Sequence, residues 1–279
     1  MRFVAPARAS VDAGVFDRPP LSQWGEFDAL LRGPEWPGVA ALNQFVRASS
    51  VAGKVPRFIE QTPVLLADGL HYEQRIAERG EIATRDGNWH DLLNALIWMR
   101  HAPLKAALNE RQMAEIAIAG PKQRTRAQCA LTLFDEAGVI VLLRDPALLA
   151  LWDAHDWHGL FWRERDAWSD GRIDVVVFGH ALLEHALKPH QLFVGKALVA
   201  LSGAHERVEL ADVQAVTAAI RRSDLLIDPQ ELRPLPLSGI PGWHAENGSE
   251  RFYRDAPCFR PLRSGRNYPA AFAPPSGGS

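Results

Sequence analysis

The stretch that decides the fold is IDVVVFGHALLEHAL, residues 173–187. Residues 173–178 form a largely apolar run rich in β-branched residues, which is typical of a buried strand. Gly179 then turns the chain, and the residues from His180 onward are predicted to form a helix. A buried strand that leads directly into a helix predicts a protein in which helices pack against a sheet.

Upstream of that stretch, short segments rich in strand-forming residues predict two β-hairpins, 70–78 with 81–84 and 129–134 with 139–143. A helix over residues 72–79 is the alternative to part of the first hairpin. Asp135-Glu136-Ala137-Gly138 is interpreted as the turn of the second. We therefore predict an α+β fold, in which helices pack around a small, largely antiparallel sheet with β-hairpins.

The rest of the chain is predicted to be mainly helical, organised as one domain with an arm at each end. Residues 1–20 contain prolines without a clear period and predict an irregular arm. Residues 21–232 are predicted to form a single α+β domain. Residues 233–279 are rich in proline and aromatic side chains, so we expect this C-terminal arm to wrap the domain, with its last residues disordered.

Composition excludes several classes of protein. The chain has 279 residues and a net charge of -2, so it lacks the basic excess of a general polyanion binder. This disfavours nucleic acid as a partner but leaves a local basic patch open. No apolar run approaches the roughly 20 residues that a membrane span needs, and no secretory signal is evident. The two cysteines, Cys129 and Cys258, suit a reducing compartment, and we expect a soluble, cytoplasmic protein.

The densest polar segment opens the helix predicted from Trp89 to about Arg100, where Asn88 is the expected N-cap. His90 and Asp91 in the first turn are candidates for acid–base catalysis or metal binding. Arg85, Asn94, Lys105 and Glu73 are candidates for binding substrate. A simpler interpretation is that Asn88 and Asp91 only cap the helix.

A second candidate lies at the start of the helix after residues 173–178. His180 and Glu184 are four residues apart and share a helix face, so they could bind a metal together, or Glu184 could orient the imidazole. Their spacing differs from the H-E-x-x-H pattern of zinc peptidases. An ordinary surface pair is the alternative.

Several segments together resemble a bacterial family of conserved proteins of unknown function: TRDGNWHDLLNALIW (84–98), ALTLFDEAG (130–138), FGHALLEHAL (178–187), PGWHAEN (241–247) and FYRDAPCFRP (252–261). The resemblance covers about residues 60–262 and implies no reaction. The positions that match the family signature are Tyr72, Glu73, Arg85, Trp89, His90, Asp91, Asn94, Lys105, Asp135, Glu136, His180 and Glu184.

Two functional hypotheses follow. The first is a hydrolase for a small anionic or phosphorylated substrate, in which His90 and Asp91 meet His180 and Glu184 across a cleft. A divalent metal is compatible with this arrangement but not required, and no nucleotide-cofactor motif is found. The alternative is a non-catalytic module that binds a nucleotide, nucleic acid or protein through the arginines and aromatic residues of the C-terminal arm. A purely structural role remains as the residual possibility, and no sequence feature indicates an oligomeric state.

Overall fold

A four-stranded mixed sheet and a two-stranded sheet lie among the helices of the computed structural model, which describes residues 3–48, 53–120, 123–201 and 210–274. The strands are β1 (Arg57–Glu60), β2 (Glu81–Thr84), β3 (Gly138–Leu143), β4 (Ile173–Val177), β5 (Val194–Leu201) and β6 (Arg233–Pro236). The α-helices are α1 (Asp28–Leu31), α2 (Val39–Ala48), α3 (Pro63–Leu66), α4 (Tyr72–Arg79), α5 (Trp89–Arg100), α6 (Ala102–Ala119), α7 (Arg126–Ala137), α8 (Pro146–Asp153), α9 (His180–Ala186), α10 (Leu210–Arg221) and α11 (Glu250–Asp255).

The larger sheet has the strand order β4-β3-β5-β6. Its two outer pairings are antiparallel and the central pairing of β3 with β5 is parallel. Every residue of β3 is buried, as expected of a central strand covered on both faces. The predicted α+β class is confirmed, and the sheet is mixed because β3 and β5 are joined through α8, β4 and α9.

Neither predicted hairpin is present. Residues 72–79 form α4, because Gln74 accepts a hydrogen bond from the His71 amide at the start and Gly80 ends the helix with φ 64°. The strand that follows, β2, pairs in parallel with β1 instead of folding back. The helical alternative for this segment was therefore the correct one.

The second hairpin is replaced by helix α7. Thr125 and Gln128 cap its start reciprocally, each side chain accepting a hydrogen bond from the other residue's amide. Its buried residues recur at helical spacing, not at the alternation of a strand: Ala127, Ala130, Leu131 and Phe134. Asp135 and Glu136 consequently lie in the last turn of a helix and not in a hairpin turn.

Both terminal segments pack against the central part of the fold. At the N-terminus, the Pro6 carbonyl accepts a hydrogen bond from the Trp89 indole at 3.1 Å. In the C-terminal segment, Phe252 and Tyr253 are buried, and the Phe272 backbone exchanges two hydrogen bonds with the end of β5. The expected disorder concerns the last residues, PPSGGS (274–279), of which 275–279 lie outside the described residues.

Within the described ranges, none of the helices combines the length and the apolar character that crossing a membrane demands.

Candidate functional site

The start of α5 is built as the sequence predicts. The Asn88 side chain accepts a hydrogen bond from the Asp91 amide at 3.1 Å and caps the helix. The Asp91 carboxylate is held by Arg85, whose Nε and Nη2 donate to it at 3.0 and 2.6 Å. This pair fixes the turn before α5. Asp91 is thereby occupied, and His90 is the residue of the first turn that reaches α9.

The junction of α7 with β3 is locked to the junction of β4 with α9 through backbone contacts. The Gly138 carbonyl accepts hydrogen bonds from the amides of Phe178 and Gly179, at 3.0 and 2.8 Å. A Cβ atom on Gly179 would lie 2.5 Å from the Glu136 carbonyl oxygen, so the two turns approach this closely only with glycine there. These backbone contacts place His180, the first residue of α9, beside Glu136.

His90, His180 and Glu136 converge in one cluster. The Nε2 atoms of the two histidines are 3.0 Å apart. The Glu136 Oε2 atom lies 3.4 Å from Nε2 of His180 and 4.0 Å from Nε2 of His90. The helices that begin at residues 89 and 180 therefore meet in space, as the first functional hypothesis requires.

Glu184 lies behind this cluster and does not form part of it. Its Oε2 atom is 3.3 Å from Nδ1 of His90, so the carboxylate favours a proton on Nδ1 and leaves Nε2 as the free lone pair. This hydrogen bond is the main reason that the pKa of His90 is raised, against the opposing effect of burial. A carboxylate behind a histidine in this way is the usual second partner of a metal-binding imidazole.

His180 is held in its neutral form. Burial lowers the pKa of its imidazole to about 3, against the opposing charge of Asp135. Glu136 is half exposed, and burial raises the pKa of its carboxyl. A neutral imidazole presents a lone pair at neutral pH, as a metal ligand must.

The three donor atoms fit a small divalent ion. For tetrahedral bonds of about 2.0–2.1 Å, neighbouring ligand atoms are separated by about 3.3 Å. The observed separations of 3.0, 3.4 and 4.0 Å bracket that value. Among the residues that the structure describes, this is the one group of histidine, cysteine and carboxylate side chains that could hold a metal ion. Three protein ligands leave a coordination position open, which is typical of catalytic sites.

A buried polar network adjoins the cluster through Asp135, the residue before Glu136 in α7. The Lys105 ammonium contacts the Asp135 carboxylate at 2.6 Å and donates to the Asn94 side chain at 2.9 Å. Asn94 in turn donates to the Tyr72 hydroxyl at 2.8 Å. Burial is the largest influence on Lys105 and lowers its pKa, but Asp135, Tyr72 and Glu73 together raise it above its usual value. Burial likewise opposes ionisation of Asp135, whose pKa is nevertheless lowered, mainly by Lys105. The charge of Lys105 is therefore neutralised within the protein.

The cluster opens into a cleft of about 570 Å³. Its polar wall includes the carboxylates of Asp91, Asp135 and Glu136 and five glutamine side chains, Gln61, Gln74, Gln112, Gln123 and Gln128. Arg124 and Arg85 supply positive charge. Glu73 also lines the cleft, and burial raises the pKa of its carboxyl although Asn109 donates a hydrogen bond to it. The cleft thus suits a polar ligand that accepts and donates many hydrogen bonds.

The candidate residues from the sequence separate into three groups. His90 and His180 face each other, and Glu73, Arg85, Asp91 and Asn94 line the same cleft. Glu184 supports His90 from outside the cleft. Lys105 is buried beneath Asp135, with which it pairs, and does not line the cleft itself. Glu136 was not predicted as a candidate metal ligand, because it was interpreted as part of a turn. Helical spacing in residues 127–134 was the signal that could have placed it.

Comparison with known protein families identifies the family of the chain but assigns no activity to it. The family model described as "Protein of unknown function (DUF3025)" matches residues 56–263. The chain belongs to this family. The DUF3025 segment contains His90, Glu136, His180 and Glu184, so the whole cluster lies within it. Searches of curated proteins and of solved structures gave no match.

Proposed function

We propose that this DUF3025 protein is a metal-dependent hydrolase with a small polar, anionic substrate. The observation that carries the proposal is the convergence of His90, His180 and Glu136, with Glu184 fixing the tautomer of His90. Two histidines and a glutamate with an open position are a ligand set found in zinc hydrolases. A divalent ion there would lower the pKa of a coordinated water and so provide a nucleophile at neutral pH.

Two arginines at the cleft support the anionic substrate class. Arg124 is exposed at the cleft, and its guanidinium could pair with a phosphate or carboxylate group. The Arg85 guanidinium is half exposed while it holds Asp91, so it could contribute a second positive charge. Glu73 is a candidate proton donor for the leaving group, because its pKa is raised by burial. Lys105, in contrast, is not proposed to contact substrate.

Both cysteines are free, which is consistent with the reducing cytoplasm that we propose as the location of the protein.

Metal analysis and an activity screen test the proposal. The protein would be stripped with chelator, reloaded with Zn²⁺, Mn²⁺, Co²⁺ or Fe²⁺, and analysed by mass spectrometry for bound metal. We expect about one ion per chain in the wild type and none retained in His180→Ala. The loaded protein would then be screened with nitrophenyl phosphate mono- and diesters and carboxylic esters.

His158→Ala is the matched control, because His158 also pairs with a carboxylate, Glu250, but lies outside the cluster. It should bind metal and hydrolyse substrate as the wild type does. Failure of the wild type to bind any of these ions at micromolar concentration would refute the proposal. Selective Fe²⁺ binding with oxygen consumption and no hydrolysis would assign the same ligands to oxygen chemistry instead.

A further inference from the structure

A second cleft, of about 710 Å³, lies between the C-terminal segment and the strand β5. Four cationic side chains line it, Lys196, Arg260, Arg263 and Arg266, and its lining includes no aspartate or glutamate. We call it the basic cleft. For a chain whose net charge is -2, such a concentration of uncompensated positive charge is a local exception.

The four cations are not neutralised by ion pairs with any part of the chain that the structure describes. Lys196 is partly buried at the start of β5, and its pKa is lowered by burial and by the charges of Arg266 and Arg263. Arg266 also influences the carboxylate of Asp228, which is already held by Arg126. Mutual repulsion among these cations is unfavourable unless an anion offsets it.

The remaining walls of the basic cleft are apolar and aromatic. Trp157 is fixed by a hydrogen bond from its indole to the Arg260 carbonyl at 2.7 Å. The Tyr268 hydroxyl lies 2.9 Å from Nε2 of His155, and the His155 and Tyr268 rings stack at 5.9 Å. The Arg266 guanidinium lies over the Tyr268 ring at 4.5 Å. Rigid aromatic walls beside cations favour a ligand with a flat apolar body as well as negative charge.

The basic cleft is separate from the cleft of about 570 Å³ at His90 and His180, which we call the metal cleft. The two clefts share no lining residue, and α7 contributes to both from different faces. Its residues Gln128, Thr132 and Asp135 line the metal cleft, whereas Leu133 lines the basic cleft. A ligand of the basic cleft would therefore bind independently of a metal ion at His90 and His180.

We propose that the basic cleft binds a small organic polyanion with a flat apolar body, of about the size of a mononucleotide. A cleft of about 710 Å³ falls within the range of sites for drug-sized ligands. It is too compact to track several nucleotides of a strand, so the observations favour a small molecule over nucleic acid.

Calorimetric titration of chelator-treated, metal-free protein with three probes tests the inference. ADP carries both charge and a flat ring, pyrophosphate carries only charge, and adenosine carries only the ring. We expect ADP to bind most tightly, pyrophosphate more weakly, and adenosine not measurably, with affinity falling as salt rises. Lys196→Gln and Arg263→Gln should each weaken ADP about tenfold, since each removes a charged partner.

Arg251→Gln is the matched control, because Arg251 belongs to the same terminal segment but pairs with Asp255 outside the basic cleft. It should bind ADP with unchanged affinity, and circular dichroism should show that all variants fold. The inference is overturned if none of the probes binds at millimolar concentration, if Lys196→Gln binds as the wild type does, or if single-stranded oligonucleotide binds more tightly than ADP. His180→Ala should retain ADP binding, and its loss there would place the ADP site at the metal cleft instead.

Discussion

Replacement of Glu184 by glutamine tests the geometry of the candidate metal site most directly. Glutamine keeps the size of the side chain and an oxygen that can accept from Nδ1 of His90, but it removes the negative charge. The charge favours the tautomer in which Nε2 of His90 is free, and it makes that nitrogen a stronger donor. We therefore expect Glu184→Gln to weaken metal binding without removing a ligand.

The expected size of this effect follows from the contact. Loss of a carboxylate behind a metal-binding histidine typically weakens metal affinity 10- to 100-fold. The distance of 3.3 Å between Oε2 of Glu184 and Nδ1 of His90 is longer than a strong charged hydrogen bond. The effect should therefore lie at the lower end, about tenfold in Kd, which corresponds to about 1.4 kcal/mol.

Competition with a chromogenic zinc chelator would measure Kd for the wild type and the variants. Glu250→Gln is the matched control, because Glu250 makes the same kind of contact with His158 at 2.8 Å but lies away from the cluster. A change of less than twofold in Glu184→Gln would refute the positioning role of Glu184. Equal loss in both variants would show that the effect is not specific to the cluster.

Three further predictions concern the framework of the site and the pH dependence of stability. In chemical denaturation and chelator assays, Gly179→Ala should lower the free energy of unfolding by about 1–3 kcal/mol and weaken metal binding. The control Gly248→Ala should change neither quantity, because a Cβ atom there meets no atom within 4 Å. Lys105→Met should destabilise by about 3–5 kcal/mol because it leaves Asp135 buried without a counter-ion, and the double variant with Asp135→Leu should recover much of this in urea unfolding; no recovery would contradict the pairing argument. Burial lowers the pKa of His101 to about 4 from an unfolded value near 6.5, so its contribution to stability is present above pH 6.5 and is lost as the pH falls to 4. The difference between wild type and His101→Gln in pH-dependent unfolding should therefore change by about 3 kcal/mol over that range, and parallel curves would contradict it.

Local signals in the sequence were sufficient for parts of the fold. The cap at Asn88 and a strand over residues 173–177 were predicted correctly, because each depends on interactions between near neighbours. The expected burial of that strand was wrong, because β4 lies at the edge of the sheet and its residues 174–176 are only half-buried. The segment 129–134 was predicted wrongly, because an apolar run of six residues suits a strand as well as a buried helix. The capping pair of Thr125 and Gln128 was the local evidence that decides for the helix.

The candidate site depended on contacts that spacing in the sequence does not reveal. His90 and His180 lie on helices whose packing is set by the whole fold, so the sequence offered each as a candidate but not the distance between them. The position of Glu136 beside His180 depends on two features that were not predicted. Residues 126–137 form a helix instead of part of a hairpin, and the turn at Gly179 packs closely against the end of that helix. Lys105 was assigned to substrate because the sequence does not show that Asp135 neutralises it.

The hydrogen bonds that Gly138 accepts also bear on how fast an ion could exchange. They join the end of α7 to the start of α9, so Glu136 and His180 are carried on a single rigid unit. His90 is carried on α5 and reaches them from the opposite side, with a side chain that is 30% exposed against 4% for His180. Entry and release of an ion should therefore depend on rotation of the two more exposed side chains, His90 and Glu136, and the Glu184 contact that restrains His90 would lengthen the residence time of the ion.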